Sequence, residues 1–234
     1  MARDFVVAVV VAHDGARWLP RLLSALGTAS RSADLVVGVD TGSSDASASL
    51  LRASAAVDIV VEASRESGFG SAVSSGLEAA APALPGVEDG WIWLLHDDCA
   101  PAPDALERLL DVVAAEQDVA VVGCRMRAWP SGRRLLEVGV TITGTGHRET
   151  GVELGEYDQG QHDELRDVLA VSSAGMLVRR DVWRSLGGFD PELPLFRDDV
   201  DFGWRAAAAG HRVVVAGGAA VFHAEAAMHR RASS

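Results

Sequence analysis

The chain has 234 residues, 48% of them hydrophobic, enough to fill the core of one large α/β domain or two small ones and too many for a disordered chain. Its formal charge of −12 excludes a general affinity for nucleic acid or anionic lipid, so any phosphate must be held locally, by a metal or a few arginines. All basic side chains are Arg, and the two cysteines, Cys99 and Cys124, show no metal-ligand spacing, which leaves no disulfide framework or zinc knuckle and points to a reducing cytoplasm.

The first apolar run, Phe5 to Ala12, reaches His13-Asp14 too soon for a signal peptide or membrane span and reads as a strand covered on both faces. Trp18, Leu19, Leu22, Leu23 and Leu26 then recur at helical spacing, with Pro20 tolerable in the first turn. Leu35 to Val39 predicts a second strand ending at Asp40, followed by a helix to about Ala53 and a third strand over Asp58 to Val61. Gly68-Phe69-Gly70 leads into a helix from about Ser71 to Ala81, and Pro82 to Gly90 is a loop.

The next strand, Trp91 to Leu95, runs into His96-Asp97-Asp98, and a helix follows from about Asp104 to Ala115. Strands are expected over Val119 to Gly123, Leu135 to Thr143, Val168 to Val171 and Met176 to Val178. Between them, Gly144 to Leu165 is a long polar loop of a length that is usually functional or mobile. Asp181 reads as the N-cap of a short helix ending at Gly187-Gly188, and Phe196 to Arg205 opens a helix ending at Gly210. Two short strands, Val213 to Val215 and Ala219 to Phe222, close at His223, ahead of a frayed polar tail. Alternating strands and helices of these lengths predict a mostly parallel central sheet flanked by helices. The first turn lacks Gly-x-Gly-x-x-Gly, and no Gly-Lys-Ser/Thr loop is present, which argues against a dinucleotide-binding domain and a P-loop.

Three carboxylate positions, Asp40, Asp97-Asp98 and Asp198-Asp199, follow an apolar run or open a helix. In open α/β sheets the carboxyl ends of strands are where ligands bind, so these positions suit a metal and a phosphorylated substrate. On the last helix Asp201 and Arg205 stand four apart and can pair, with Asp198 towards that face. Asp199 shares another line with Gly203 and Ala206, small residues that would leave space beside it, as a general base needs.

In order along the chain stand Val10-Val11-Ala12-His13-Asp14, Val39-Asp40-Thr41-Gly42-Ser43-Ser44-Asp45, Gly68-Phe69-Gly70 with Gly76, and Leu95-His96-Asp97-Asp98. They are followed by Gly187-Gly188-Phe189-Asp190, Asp198-Asp199-Val200-Asp201 with Arg205, and Val221-Phe222-His223. This ordered set, from Val6 to His223, resembles the family 2 glycosyltransferases of the GT-A fold.

The resemblance implies a single GT-A domain over 1–223, with a nucleotide-binding half (1–98), an acceptor and catalytic half (99–223) and a tail (224–234). It further implies that Asp40 binds the uracil or ribose of a nucleotide-diphosphate sugar, UDP or dTDP first, with Ala12, Asp14, Gly68 and Asp97 in the same donor pocket. Asp98 would ligate Mn²⁺ or Mg²⁺ with His223, Asp199 would take the acceptor proton, and Asp198, Trp204 and Arg205 would face the acceptor. His96 replaces the first Asp of the metal motif, which puts the metal on Asp98 with Asp97 or His223, and makes His96 an outer partner of the metal or a merely polar residue.

Trp204 has a second reading as core, and Tyr157, Asp158, Gln159 and His162 read equally as acceptor contacts or a solvated loop. The Gln-x-x-Arg-Trp signature of processive synthases is absent, which implies a non-processive enzyme adding a hexosyl, deoxyhexosyl or furanosyl unit to a lipid-linked or cell-envelope glycan. It would work in the cytoplasm or at the cytoplasmic face of a membrane, attached through segments outside this chain. A sugar nucleotidyltransferase and a catalytically silent nucleotide- or glycan-binding module are the alternatives.

Overall fold

The computed structural model describes residues 4–84, 86, 90–193 and 197–226; Phe196, His229 and most of the expected tail lie outside them. The first strands follow the apolar runs: β1 (Val6–Ala12), β2 (Leu35–Asp40), β3 (Ile59–Glu62) and β4 (Trp91–His96). Their order is β3-β2-β1-β4 and all three pairings are parallel. Every residue of β1 and β2 is buried, as continuous apolar runs in a doubly covered sheet should be.

Helices α1 (Leu19–Gly27), α2 (Ser47–Ala53) and α4 (Ala105–Ala115) pack on one face of the sheet, against Val6, Ala8 and Val10. On the other face Val7, Val9 and Val11 meet α3 (Phe69–Ala80), α5 (Arg180–Ser185) and α6 (Asp198–Ala208). The alternation of side chains along β1 feeds both cores.

Beyond β4 the sheet becomes mixed. The short β11 (Leu177–Arg179) runs antiparallel between β4 and β6 (Val119–Ala128), which in turn pairs in parallel with β12 (Arg212–His223). β12 also holds β10 (Leu165–Asp167) and β5 (Cys99–Pro101), both antiparallel, and β7 (Leu135–Glu137) lies antiparallel on β6.

Several expectations are corrected here. The strand expected over Leu135 to Thr143 breaks at Gly139, whose φ of +75° turns the chain between β7 and β8 (Thr141–Ile142). Val168 to Val171 form no strand; only Ala170 bridges to Val140. The two expected terminal strands are one, with a register shift between Ala216 and Ala220. Asp181 lies inside the first turn of α5 rather than capping it, its Oδ1 accepting from the Val182 N–H and pairing with Arg179.

The segment expected as a polar loop, 144–165, is anchored. Its start folds into a hairpin of β8 with β9 (Arg148–Glu149). Farther on, the Asp158 side chain, only 5% exposed, takes Arg125 at 3.2 Å and Arg127 at 3.0 Å, both from β6.

Candidate active site

The carboxyl ends of β1, β2 and β4 lie side by side, with Ala12 in register with Asp40 and Val11 with His96. Asp40 is 3% exposed; one carboxylate oxygen accepts from the Ser43 N–H at 3.0 Å, while the buried Oδ1 has no hydrogen-bond partner among the described residues. A buried carboxylate oxygen without a donor is costly, which makes this the position in the first half that most needs a ligand N–H or O–H. Ala12 is fully buried beside it and gives its carbonyl to Thr41.

Asp14 sits at the same edge with a positive φ of 50°. Its carboxylate is engaged by Arg65 at 2.6 Å and by the Ser44 N–H and hydroxyl, and the Arg65 hydrogen bond holds it well below the usual carboxylate range. Asp14 therefore ties the loops after β1, β2 and β3 together. Gly68 opens α3 with free space around it.

At the end of β4 the two carboxylates part. Asp97 turns back under the first loop, where its Oδ2 accepts from the His13 N–H at 2.8 Å and fills the space a Cβ on Gly15 would need. Asp98 turns the other way and meets His96 and His223, with one donor atom from each lying within 4.8 Å of the others. The His223 Nε2 stands 3.2 Å from Asp98 Oδ1, and the Ala226 N–H donates to Oδ2 at 2.7 Å. Burial, the largest single influence, would raise Asp98, but the His223 and His96 imidazoles and the Ala226 N–H together outweigh it and hold the carboxyl well below its usual range. Burial conversely disfavours a charged His223, and Asp98 more than offsets that, so the imidazole is raised.

His96 packs edge-on against Phe69, and its Nε2 lies 3.0 Å from the Ser173 hydroxyl. Two imidazoles and a carboxylate converging on one point fit a divalent metal ion. The structure brings Asp98 and His223 together and adds His96 to them, while Asp97 lies elsewhere.

Ser173 connects this triad to the acidic start of α6, because its backbone N–H also favours the ionised form of Asp199. Asp199 is raised above the ordinary carboxylate range by burial, opposed by the Val200 N–H, by Arg148 and by Ser173. Asp198 is pushed up to about 6, chiefly by burial and then by Asp199. Glu137, buried on β7 against Arg148, is pushed up to about 7 by burial, and its charge reaches both Asp199 and His223. None of Ser173, Glu137 and Arg148 follows from sequence spacing; the Ser172-Ser173-Ala174-Gly175 turn was the only local signal.

The remaining expectations for α6 divide. Arg205 pairs with Asp201 as expected, and its other nitrogens donate to the Leu186 and Gly188 carbonyls at 2.7 and 2.8 Å, so it staples α6 to the turn after α5. Trp204 is 56% exposed, which overturns its reading as core. Gly203 leaves no space: a Cβ there would lie 2.4 Å from the Leu169 carbonyl.

Residues 2–233 match the family described as "Glycosyltransferase like family 2". The chain is 25% identical over 242 residues to the N-acetylglucosaminyl-diphospho-decaprenol L-rhamnosyltransferase of Mycobacterium tuberculosis, covering 94% of this chain and 76% of that protein. It is 33% identical over 144 residues to the O-antigen biosynthesis protein RfbC of Myxococcus xanthus, covering 59% of this chain and spanning 11% of that protein's length.

Among solved structures, GalNAc-T7 with UDP, GalNAc and Mn²⁺ superposes with a TM-score of 0.74 at 14% identity, over 95% of this chain and 44% of that one. The mannosyltransferase PcManGT from Pyrobaculum calidifontis with GDP-Man and Mn²⁺ gives 0.66 at 18% identity, over 96% and 58%. At such identities the structures share the GT-A fold.

Proposed function

Because the chain belongs to the family 2-like glycosyltransferases, we propose that it is a metal-dependent inverting enzyme that moves a sugar from a nucleotide-diphosphate donor to a hydroxyl of a lipid-linked cell-envelope glycan. The observation that carries this reading is the placement of two chemically different groups on either side of Ser173: the His96, Asp98 and His223 donor atoms, and the buried Asp199.

Asp40 receives the base or ribose of the donor, since its orphaned Oδ1 needs a donor group there. His96, Asp98 and His223 would hold the divalent ion. An ion in that site supplies positive charge to the departing nucleoside diphosphate. Two imidazoles favour Mn²⁺ over Mg²⁺, which prefers oxygen ligands and retains its water.

Asp199 takes the proton of the acceptor hydroxyl as that oxygen bonds to the anomeric carbon. The bond from that carbon to the diphosphate oxygen breaks, and one displacement inverts the configuration. A carboxylate raised by burial is a stronger base than one in water, and Arg148 and the Ser173 N–H keep it ionised enough to act. Exposed Trp204 offers a ring to an acceptor sugar.

The rhamnosyltransferase relative is named for a diphospho-decaprenol acceptor, which supports a deoxyhexose and a polyprenyl-diphosphate acceptor here. Among the described residues no helix is long and apolar enough to cross a membrane. UDP- and dTDP-linked sugars are the first donors to test.

Product formation should be followed with a panel of nucleotide-sugars and a polyprenyl-diphosphate-linked amino sugar, for wild type and Asp199→Asn. The variant should lose on the order of 10² to 10⁴ in kcat while its donor affinity stays within about twofold. Undiminished turnover would remove Asp199 from its role. A wild type that binds nucleotide and never turns over would be a silent binding module.

A further inference from the structure

A chain of charge −12 carries one face of opposite character. Arg17, just ahead of α1, lies 5.6 Å from the centre of the Trp18 ring. Arg21, one turn later, lies 4.8 Å from Trp129 and 5.7 Å from Phe222. Pro20 and Pro130 are exposed beside these rings, and Arg133 is exposed on the same turn after β6. Among the described residues no carboxylate lies within 4 Å of the Arg17, Arg21 or Arg133 guanidinium. Arg127, on the other side of Phe222 at 5.4 Å, is by contrast committed to Asp158 and the Gly132 carbonyl.

The face borders the active site. Phe222 directly precedes His223, and the Trp129 N–H donates to the His223 carbonyl at 3.0 Å. Stacking fixes the Arg21 guanidinium while leaving its N–H groups unpaired among the described residues, so little side-chain freedom remains to be lost when an anion meets it. Tryptophan rings and exposed prolines next to unpaired arginines combine an apolar body with positive charge. That combination suits the boundary between lipid headgroups and acyl chains, where tryptophan collects and arginine meets lipid phosphate. A flat bilayer touches one face only, and carboxylates farther from it than the Debye length of about 8 Å are screened at physiological salt.

We propose that the Arg17, Trp18, Arg21, Trp129, Pro130 and Arg133 face seats the protein on an anionic phospholipid surface, bringing the edge that carries His223 to the level of lipid-borne acceptors. The proposal rests on the lipid-linked acceptor argued above for its purpose. The binding itself is measured without donor or acceptor.

The full chain should be sedimented with vesicles of phosphatidylcholine alone and of phosphatidylcholine with one quarter phosphatidylglycerol. Wild type should partition onto the anionic vesicles only, and less as salt rises from 0.05 to 0.5 M. Arg17→Ala/Arg21→Ala should lower that partition by roughly 10- to 30-fold. Both substituted side chains are exposed and only the Arg17 and Arg21 ring contacts are lost, so its melting temperature should lie within about 5 °C of wild type. Equal binding to neutral vesicles, an unaffected double variant, equal retention on single-stranded DNA, or displacement by millimolar inorganic phosphate would each overturn the proposal. Vesicle binding by a chain that transfers no sugar would leave this surface standing and sink the proposed function. Transfer to a soluble acceptor without vesicle binding would do the reverse.

Discussion

One buried carboxylate anchors the polar segment 144–165 beside its backbone hydrogen bonds to β7 and Arg133, and removing it should have a large effect. Asp158 is 5% exposed and stands 3.2 Å from Arg125 and 3.0 Å from Arg127. With an effective dielectric constant of about 20, each contact is worth roughly 5 kcal/mol of attraction, and burying the carboxylate returns several kcal/mol of that. Deleting one member of a buried pair leaves its partners uncompensated and costs about 3–5 kcal/mol. Arg125 keeps the exposed Asp163, but its Nε has no hydrogen-bond partner among the described residues and is poorly placed to absorb the loss.

Asp158→Ala should therefore lower the melting temperature by roughly 6 to 20 °C, at about 2–4 °C per kcal/mol for a chain of this size. A Glu-specific protease should cleave at the exposed Glu149 and Glu153 on the order of 100-fold faster if about 3 kcal/mol of anchoring is lost. Asp163→Ala is the control: its carboxylate also reaches Arg125 but is 59% exposed, so its loss should cost under about 1 kcal/mol. Two variants that melt together, within 3 °C of wild type, would refute the buried clamp.

Other substitutions probe the site more directly. Asp40→Asn should keep or raise the melting temperature of the free protein, because it removes a buried charge with an unpaired oxygen, and should abolish stabilisation by nucleotide; a marked loss of apo stability would contradict this. Asp198, pushed up to about 6 in the folded protein, binds its proton more tightly there than when unfolded. Its burial therefore costs nothing well below pH 3.8, costs increasingly as the pH rises from 3.8 towards 6, and stays at its full value above that. Asp198→Asn should accordingly raise the melting temperature at pH 8 and leave it unchanged near pH 3.5, and the opposite order would refute the assigned environment. Gly203→Ala drives a methyl into the Leu169 carbonyl and should destabilise by about 1–3 kcal/mol in a urea titration.

Much of the first half was legible because continuous apolar runs of strand length end in charge: β1, β2 and β4 begin and end within a residue or so of where hydropathy places them. β4 ends at His96, so the alternation of side chains along a strand does not reach Asp97 and Asp98, and only the fold shows which of them meets His96 and His223.

β5 was not legible, since Pro101 argues against a strand unless it lies at an edge, where Pro101 pairs with Val221. Arg125 and Arg127 lie beyond the strand expected over Val119 to Gly123, and only the fold brings Asp158, more than thirty residues on, to them. Ser173, Glu137 and Arg148 reach the site through contacts made after the sheet is assembled, and no local period marks them. Trp204 misled in the other direction, because an aromatic ring on an amphipathic helix fits the core equally well until the neighbouring surfaces are known.

The most direct test of the account is thermal unfolding with UDP, dTDP, GDP and CDP, each with and without Mn²⁺, for wild type and Asp98→Asn. A nucleotide at about 100 times its Kd adds about 2.7 kcal/mol, roughly 5 to 10 °C for this chain. The account predicts such a shift for UDP or dTDP in wild type, dependent on Mn²⁺ and lost in the variant. Flat curves across the panel, or a shift that ignores both Mn²⁺ and Asp98, would contradict it.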